Sequence, residues 1–290
     1  MELRQLKYFI KAKELLNFTE AARILNISQS TLSQQIKQLE EELGVLLFNR
    51  IGKRIAVTEA AEMFSEYALQ TIEKANQGLL LLKDLNDLNA GKITIGVIYS
   101  MRIPMAKALV QFARQHPKIK IQVVFGTTKD LLEKLNLHQF DFVLTFYEKV
   151  KRPQFKYQTL LISNMVLVTA KKSKLATRKS ISLKEVAELP LALPFSGHNT
   201  IQFFVESFGQ KKLSPNICME INDIPTLFEV VKTGDWHTIL SETSVNDPSV
   251  VGIPIEGKNM RRTIEIVSLK EAYEKKAVKK FYELLTRMKV

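Results

Sequence analysis

The chain has 290 residues, 46% of them apolar, and a formal charge of +12, a length that suits roughly two domains at ~100–200 residues each. No run approaches the ~18 apolar residues of a membrane span, the opening residues lack the apolar stretch of a signal peptide, and the single cysteine, Cys218, excludes an internal disulfide; the expectation is a cytoplasmic protein with no membrane association. The positive charge invites a polyanionic partner, yet residues 1–92 hold 12 basic and 12 acidic side chains while the remaining 198 hold 30 and 18, so bulk charge does not mark the N-terminal part as a nucleic-acid binder. A motif has to do that.

Leu6, Phe9, Ile10 and the residues up to Leu16 predict an amphipathic helix over about 3–16. In "NFTEAARILNI", Thr19 is placed as the N-cap of a second helix whose Ala21 and Ala22 let a neighbour approach closely. After a turn of about three residues, Ser28 caps a third helix, and so short a turn sets two helices at the steep angle of a helix-turn-helix. The third helix is unusual because Ser28 to Ile36 carry no charge. Leu32, Ile36, Leu39 and Leu43 form its inner face, leaving Gln29, Ser30, Thr31, Ser33, Gln34 and Lys37 elsewhere on its surface. Amides and hydroxyls there suit hydrogen bonds to base edges or phosphates, where a carboxylate would be repelled. The acids arrive only at 40–42, and a short basic hairpin around Gly52 follows, with Arg50, Lys53 and Arg54. The alternative is an ordinary three-helix bundle with a polar face.

The segment "LRQLKYFIKAKELLNFTEAARILNISQSTLSQQIKQLEEELGVLLFNR" resembles the winged helix-turn-helix of the LysR-type transcriptional regulators, in its Ala-Ala pair, its Ser-Gln-Ser-x-Leu-Ser element, the Leu-Glu before the Gly and the Leu-Phe-x-Arg wing start. The likeness extends more loosely over the whole chain. It implies that Gln29, Ser30, Ser33 and Gln34 face a DNA groove, that Lys53 and Arg54 form the wing tip, and that Phe48 and Arg50 hold the wing onto the bundle. Gln34 stands where the family often has Arg, and Ala61 where it usually has Gly.

From Thr58, read as an N-cap, to about 89, Phe64, Ala68, Ile72, Ala75, Leu79 and Leu82 recur at helical spacing, an apolar stripe on one helix of ~45 Å at ~1.5 Å per residue. It reads as a dimerisation helix, as the resemblance also implies, with packing against its own C-terminal domain as the alternative. Beyond it, β-rich runs at 93–98, 119–125, 141–146, 158–162, 165–170, 191–194, 217–222, 237–240 and 263–269 alternate with helical stretches near 103–115, 129–138, 183–189, 199–211, 224–233 and 275–288. Such alternation means an α/β layer structure. The fold class expected is therefore α+β multidomain: a winged helix-turn-helix over 1–58, a linker helix over 59–90, and a two-lobed α/β domain over 91–290 resembling periplasmic binding proteins. Lobe I is placed at about 91–162 and 269–290 and lobe II at about 163–268, with crossings near 161–165 and 264–269.

Open α/β sheets bind ligands beyond the carboxyl ends of their strands, where helix N-termini offer free N–H groups. Ser100 follows the first such strand, Thr127 and Thr128 the second, and Pro194, Phe195, Ser196 and Asn199 open a helix farther on. By resemblance these line the effector cleft, with Thr145 behind them; Arg102 is either a charge partner or a solvated arginine. Each hydroxyl alone can be a simple cap. Together they point to a small effector carrying a carboxylate or similar anion, in a homodimeric or homotetrameric regulator of double-stranded DNA. No cofactor and no metal site is expected, since His116, His138, His198 and His237 are scattered, and no phosphate loop or catalytic elbow occurs. Cys218 is expected to be a buried, inert thiol, and Trp236 and His237 either reshape an edge of the cleft or simply pack.

Overall fold

Apolar spacing in the first 86 positions produces four helices and a hairpin. The computed structural model describes residues 1–51, 54–86, 91–194, 199–257 and 260–288, and the chain divides into two compact units, Met1–Asn86 and Asp87–Val290. In the first, α1 (Leu3–Leu15), α2 (Phe18–Ile24) and α3 (Gln29–Leu43) close around Leu6, Phe9, Ala21, Leu32, Ile36 and Leu39, all buried. The cap of α2 is Asn17 rather than Thr19: its Oδ1 accepts the Glu20 N–H at 3.1 Å. The helix starts early because Phe18 belongs inside it, its ring lying edge-on to Phe48 at 5.2 Å. Ser28 caps α3 by accepting the Thr31 N–H at 3.0 Å. Gly44 ends it at φ 71°, a left-handed conformation that a residue with a Cβ enters only at a cost.

The hairpin of β1 (Phe48–Ile51) and β2 (Arg54–Val57) is antiparallel, with Phe48 opposite Val57. Thr58 then ties hairpin to helix: its hydroxyl donates to the Leu46 carbonyl at 2.8 Å and accepts the Ala61 N–H at 3.1 Å. The next helix, α4 (Glu59–Asn86), divides its apolar stripe between two roles. Phe64, Ala68 and Ile72 pack onto the core of the first three helices, whereas Leu79 and Leu82 stand 59% and 58% exposed. The expected continuous seam is thus partly consumed within the head, because a three-helix bundle this small needs a fourth element to cover Phe9, whose ring meets that of Phe64 at 5.6 Å.

The second unit runs through β3 (Gly91–Ile98), α5 (Arg102–Gln115), β4 (Ile119–Gly126), α6 (Thr128–Asn136), β5 (Phe142–Phe146) and the long β6 (Phe155–Ala170). It continues with α7 (Leu183–Glu188), β7 (Leu191–Pro194), α8 (Asn199–Gln210), β8 (Ile217–Ile221), α9 (Ile224–Lys232), β9 (Thr238–Ser241) and β10 (Val250–Pro254), and returns with β11 (Arg261–Leu269) and α10 (Lys276–Arg287). In lobe I, β3 lies parallel to β4 and β5, and β11 runs antiparallel to β5 and to residues 155–164 of β6. Residues 165–170 of the same strand pair instead with β10 and β9 of lobe II. One strand therefore serves both lobes where the sequence suggested two. The return crossing precedes Arg261 rather than falling within 264–269, since Ile264, Ile266 and Val267 are core residues of lobe I.

Two further expectations change. Strand β10 was not foreseen, since "VVGIP" carries a glycine and a proline that weaken any strand signal; the proline is tolerated because β10 is an edge strand. Cys218 is exposed, not buried, because β8 turns Met219 and Ile221 toward lobe II and leaves Cys218 and Glu220 outside.

Candidate functional site

Helix α3 presents an exposed face of Gln29, Ser30, Gln34 and Lys37, with Ser33 half-buried beside them. The face is tied together by short bonds. Gln29 Nε2 donates to Ser33 Oγ at 3.0 Å, and the Ser28 hydroxyl lies 2.8 Å from that of Ser30 and 2.7 Å from that of Thr31. Lys37 is loosely paired with Glu41 at 3.5 Å. Thr31 is exposed but belongs to the cap. The sequence reading missed Glu40, which points away from this face and accepts the backbone N–H of Leu47 at 2.7 Å and of Phe48 at 3.0 Å. Its carboxylate is what joins α3 to the hairpin, with the Phe48 ring packed between Phe9 and Phe18. Lys53 and the side chains of Arg50 and Arg54 lie outside the described residues.

In the second unit the ends of β3, β4 and β7 converge on one cleft, lined from lobe I by Ser100, Thr127, Thr128 and Phe146 and from lobe II by Pro194, Ile224, Ser241 and Ser244. Phe195 and Ser196 lie outside the described residues. Helices α6 and α9 begin at this cleft and α5 begins just beyond Ser100, so each brings the positive end of its dipole close to it. Thr127 is committed as the cap of α6, accepting the Asp130 N–H and donating to its carboxylate at 2.8 Å. Thr128 differs. Its hydroxyl accepts from the buried Thr145 at 2.7 Å, so the Thr128 proton is available to another acceptor. Ser100 Oγ is buried without a partner among the described residues, which costs ~1–3 kcal/mol unless a ligand or water satisfies it.

Arg102 does not enter the cleft. It is exposed and lines an adjoining groove with Ile103, Phe228 and Lys232, where it faces Asp223, the cap of α9. Hydrogen bonds from the Thr226 hydroxyl and amide hold the Asp223 carboxyl below its usual range, and Arg102 adds a weaker attraction. A second arginine was missed. Arg262, at the start of β11, is 8% exposed, with its guanidinium 3.9 Å from the Phe146 ring centre and 4.9 Å from that of Phe203. Its one sequence signal is parity, since it shares the inward-facing positions of β11 with Ile264 and Ile266. His237 is likewise buried, its Nδ1 2.9 Å from Thr169 Oγ1, at the opposite end of β9 from Ser241. Among the described residues no cluster of His, Cys, Asp or Glu is able to hold a metal ion, and no helix is long and apolar enough to cross a membrane.

Comparison with known proteins settles what these two units are. The profile described as "Bacterial regulatory helix-turn-helix protein, lysR family" matches residues 3–62, and "LysR substrate binding domain" matches residues 86–289. The chain belongs to the LysR family of transcriptional regulators. Its relatives include the transcriptional activator CmpR of Synechocystis, 28% identical over 88% of this chain and 85% of that one. The regulator BsdA of Bacillus subtilis is 27% identical over 92% and 90%. Among solved structures, a full-length OxyR variant from Pseudomonas aeruginosa aligns with a TM-score of 0.77 at 21% identity, covering 98% of this chain and 94% of that chain. CbnR in complex with its target DNA aligns at 0.69 and 21%, covering 99% of each. The protein is thus a LysR-family DNA-binding regulator with an effector-binding domain, and its family is one of transcriptional regulators, not of enzymes.

Proposed function

We propose that this LysR regulator recognises duplex DNA through the Gln29, Ser30, Ser33 and Gln34 face of α3, with Lys37, Lys53 and Arg54 on the backbone, and that a small carboxylate or similar anion held between its lobes modulates that binding. The observation that carries the effector half is the proximity of a buried Ser100 hydroxyl and a Thr128 hydroxyl that, among the described residues, have no partner and no acceptor for the proton respectively. Both can donate, and both sit near the positive ends of α5, α6 and α9. Hydroxyl donors beside helix N-termini favour an acceptor with negative charge.

A thermal-shift screen of organic acids against wild type, Ser100→Ala and Thr128→Ala tests it. Each variant is expected to lose ~1.5–3 kcal/mol of binding, the contribution of a hydrogen bond to a charged group, while basal DNA affinity is kept. Stabilisation by neutral compounds alone, or equally in all three proteins, would overturn it.

A further inference from the structure

We propose that Arg262 supplies the positive charge that meets the effector's anionic group, from behind the cleft wall formed by Phe146 and Ser241. The inference rests on the anionic reading above and goes beyond it by naming a residue on the returning strand, which no motif marks and which the hydroxyl set at the strand ends does not include. Three observations place the guanidinium there. It lies over the ring of Phe146, 3.9 Å from its centre, and Phe146 is a residue of the cleft wall. In the β6–β11 ladder Arg262 stands opposite Ser163, and cross-strand partners in an antiparallel pair share one face of the sheet. Ser163 Oγ in turn accepts from Ser241 Oγ at 2.6 Å, and Ser241 lines the cleft. Arg262 is therefore one side chain removed from the cleft along two separate routes.

The chemistry favours it over Arg102. Burial disfavours the Arg262 cation and pushes its pKa down to about 10, with Glu206 of α8 opposing the shift. A charge held in low dielectric interacts far more strongly with an incoming anion than a solvated one does. The fork of N–H donors also matches a carboxylate bidentately. Phe146 belongs to lobe I and Phe203 to lobe II, so a guanidinium between the two rings contacts both lobes. An anion that draws it toward the cleft has different affinity for different lobe arrangements, which is the condition for a ligand to shift them.

The test uses the full-length protein and a panel of sodium carboxylates from acetate through succinate to suberate, with the corresponding amides as neutral controls, read by thermal shift and calorimetry. Arg262→Met keeps the bulk and removes the charge; Arg262→Lys keeps the charge and removes the fork. The best carboxylate is expected to bind Arg262→Met about tenfold to a hundredfold more weakly than wild type, Arg262→Lys to fall between, and the amides to be indifferent. Wild-type affinity in Arg262→Met, with loss in Ser100→Ala, overturns the role of Arg262 and leaves the anionic effector standing. If no carboxylate stabilises the wild type, both fall. Should Arg262→Met fail to fold, undiminished binding by Arg262→Lys overturns the bidentate contact.

Discussion

Glu40 is the residue at which the polar reading of α3 needed the structure. In the sequence it is one of three consecutive acids and looks like the solvated end of a helix. In the fold it is the acceptor for two backbone N–H groups that would otherwise be buried without a partner. Glu40→Ala is expected to cost ~1–3 kcal/mol, visible as a lower melting temperature, and to weaken binding to all DNA sequences by loosening the hairpin; an unchanged melting temperature would show that water replaces the carboxylate. Gln29→Ala should behave differently, relaxing base preference by ~1–3 kcal/mol at one position without loss of stability, as a footprint over mutated sites would report. Ser28 was legible as a cap because its role is local. Glu40 and Arg262 were not, since Glu40 acts beyond its own helix on the backbone entering the hairpin and Arg262 acts across a ladder. His237 adds a pH dependence. Burial lowers its pKa below the ordinary histidine value of 6.5, so between the two values the unfolded chain binds more protons and stability rises with pH. That contribution is complete above about 6.5 and is lost as pH falls through the lowered value. His116, lowered by burial and by Lys280, acts in the same sense. His237→Asn is expected to flatten, not abolish, the acid slope of the melting temperature, and an unaltered slope would assign it elsewhere.

At the scale of elements, α4 shows how periodicity is read correctly and interpreted too simply. Its stripe was legible because a helical repeat of apolar residues is a strong signal, but periodicity does not say which neighbour each residue meets. Phe64 and Ile72 meet the head, and Leu79 and Leu82 stay exposed, where a second copy of the chain is expected to cover them. Leu79→Lys with Leu82→Lys is therefore expected to dissociate the oligomer, since a charge buried without a partner costs several kcal/mol, while the head keeps its fold. Sedimentation checks the first outcome and circular dichroism the second. A fully oligomeric double variant would place the seam on another face. Strand β10 failed to announce itself for the opposite reason: an edge strand with a glycine and a proline keeps too few of the usual strand residues to be distinguished from a turn. The helices of the second unit were legible nearly to the residue, α6 and α9 because Thr127 and Asp223 are capping residues set before an apolar period.

Across the whole molecule, the second unit was legible as two lobes, but the cleft between them was legible only in part. The hydroxyls at strand ends follow from a local rule, whereas the approach of Arg262 to Phe146 and Phe203 depends on the path of the chain through both lobes. That path has a consequence for how the protein is made. Lobe II interrupts lobe I, whose core is completed by Val278, Phe281, Leu284 and Leu285 of α10. Phe281 lies 4.9 Å from Phe112, ring centre to ring centre, although the two are 169 positions apart in the chain, 281 − 112. On a ribosome the head and β3 to β5 of lobe I appear first, and the apolar side of β3 and α5 then waits uncovered while lobe II is synthesised, ahead of β11 and α10. Phe281→Ala is expected to cost ~3–5 kcal/mol at equilibrium, and its larger effect should fall on yield: newly made chains would partition into aggregates and recover when chaperones that hold exposed apolar surface are co-expressed. A chain cut ahead of α10 should remain in that waiting state, with a folded head attached to a domain that cannot close.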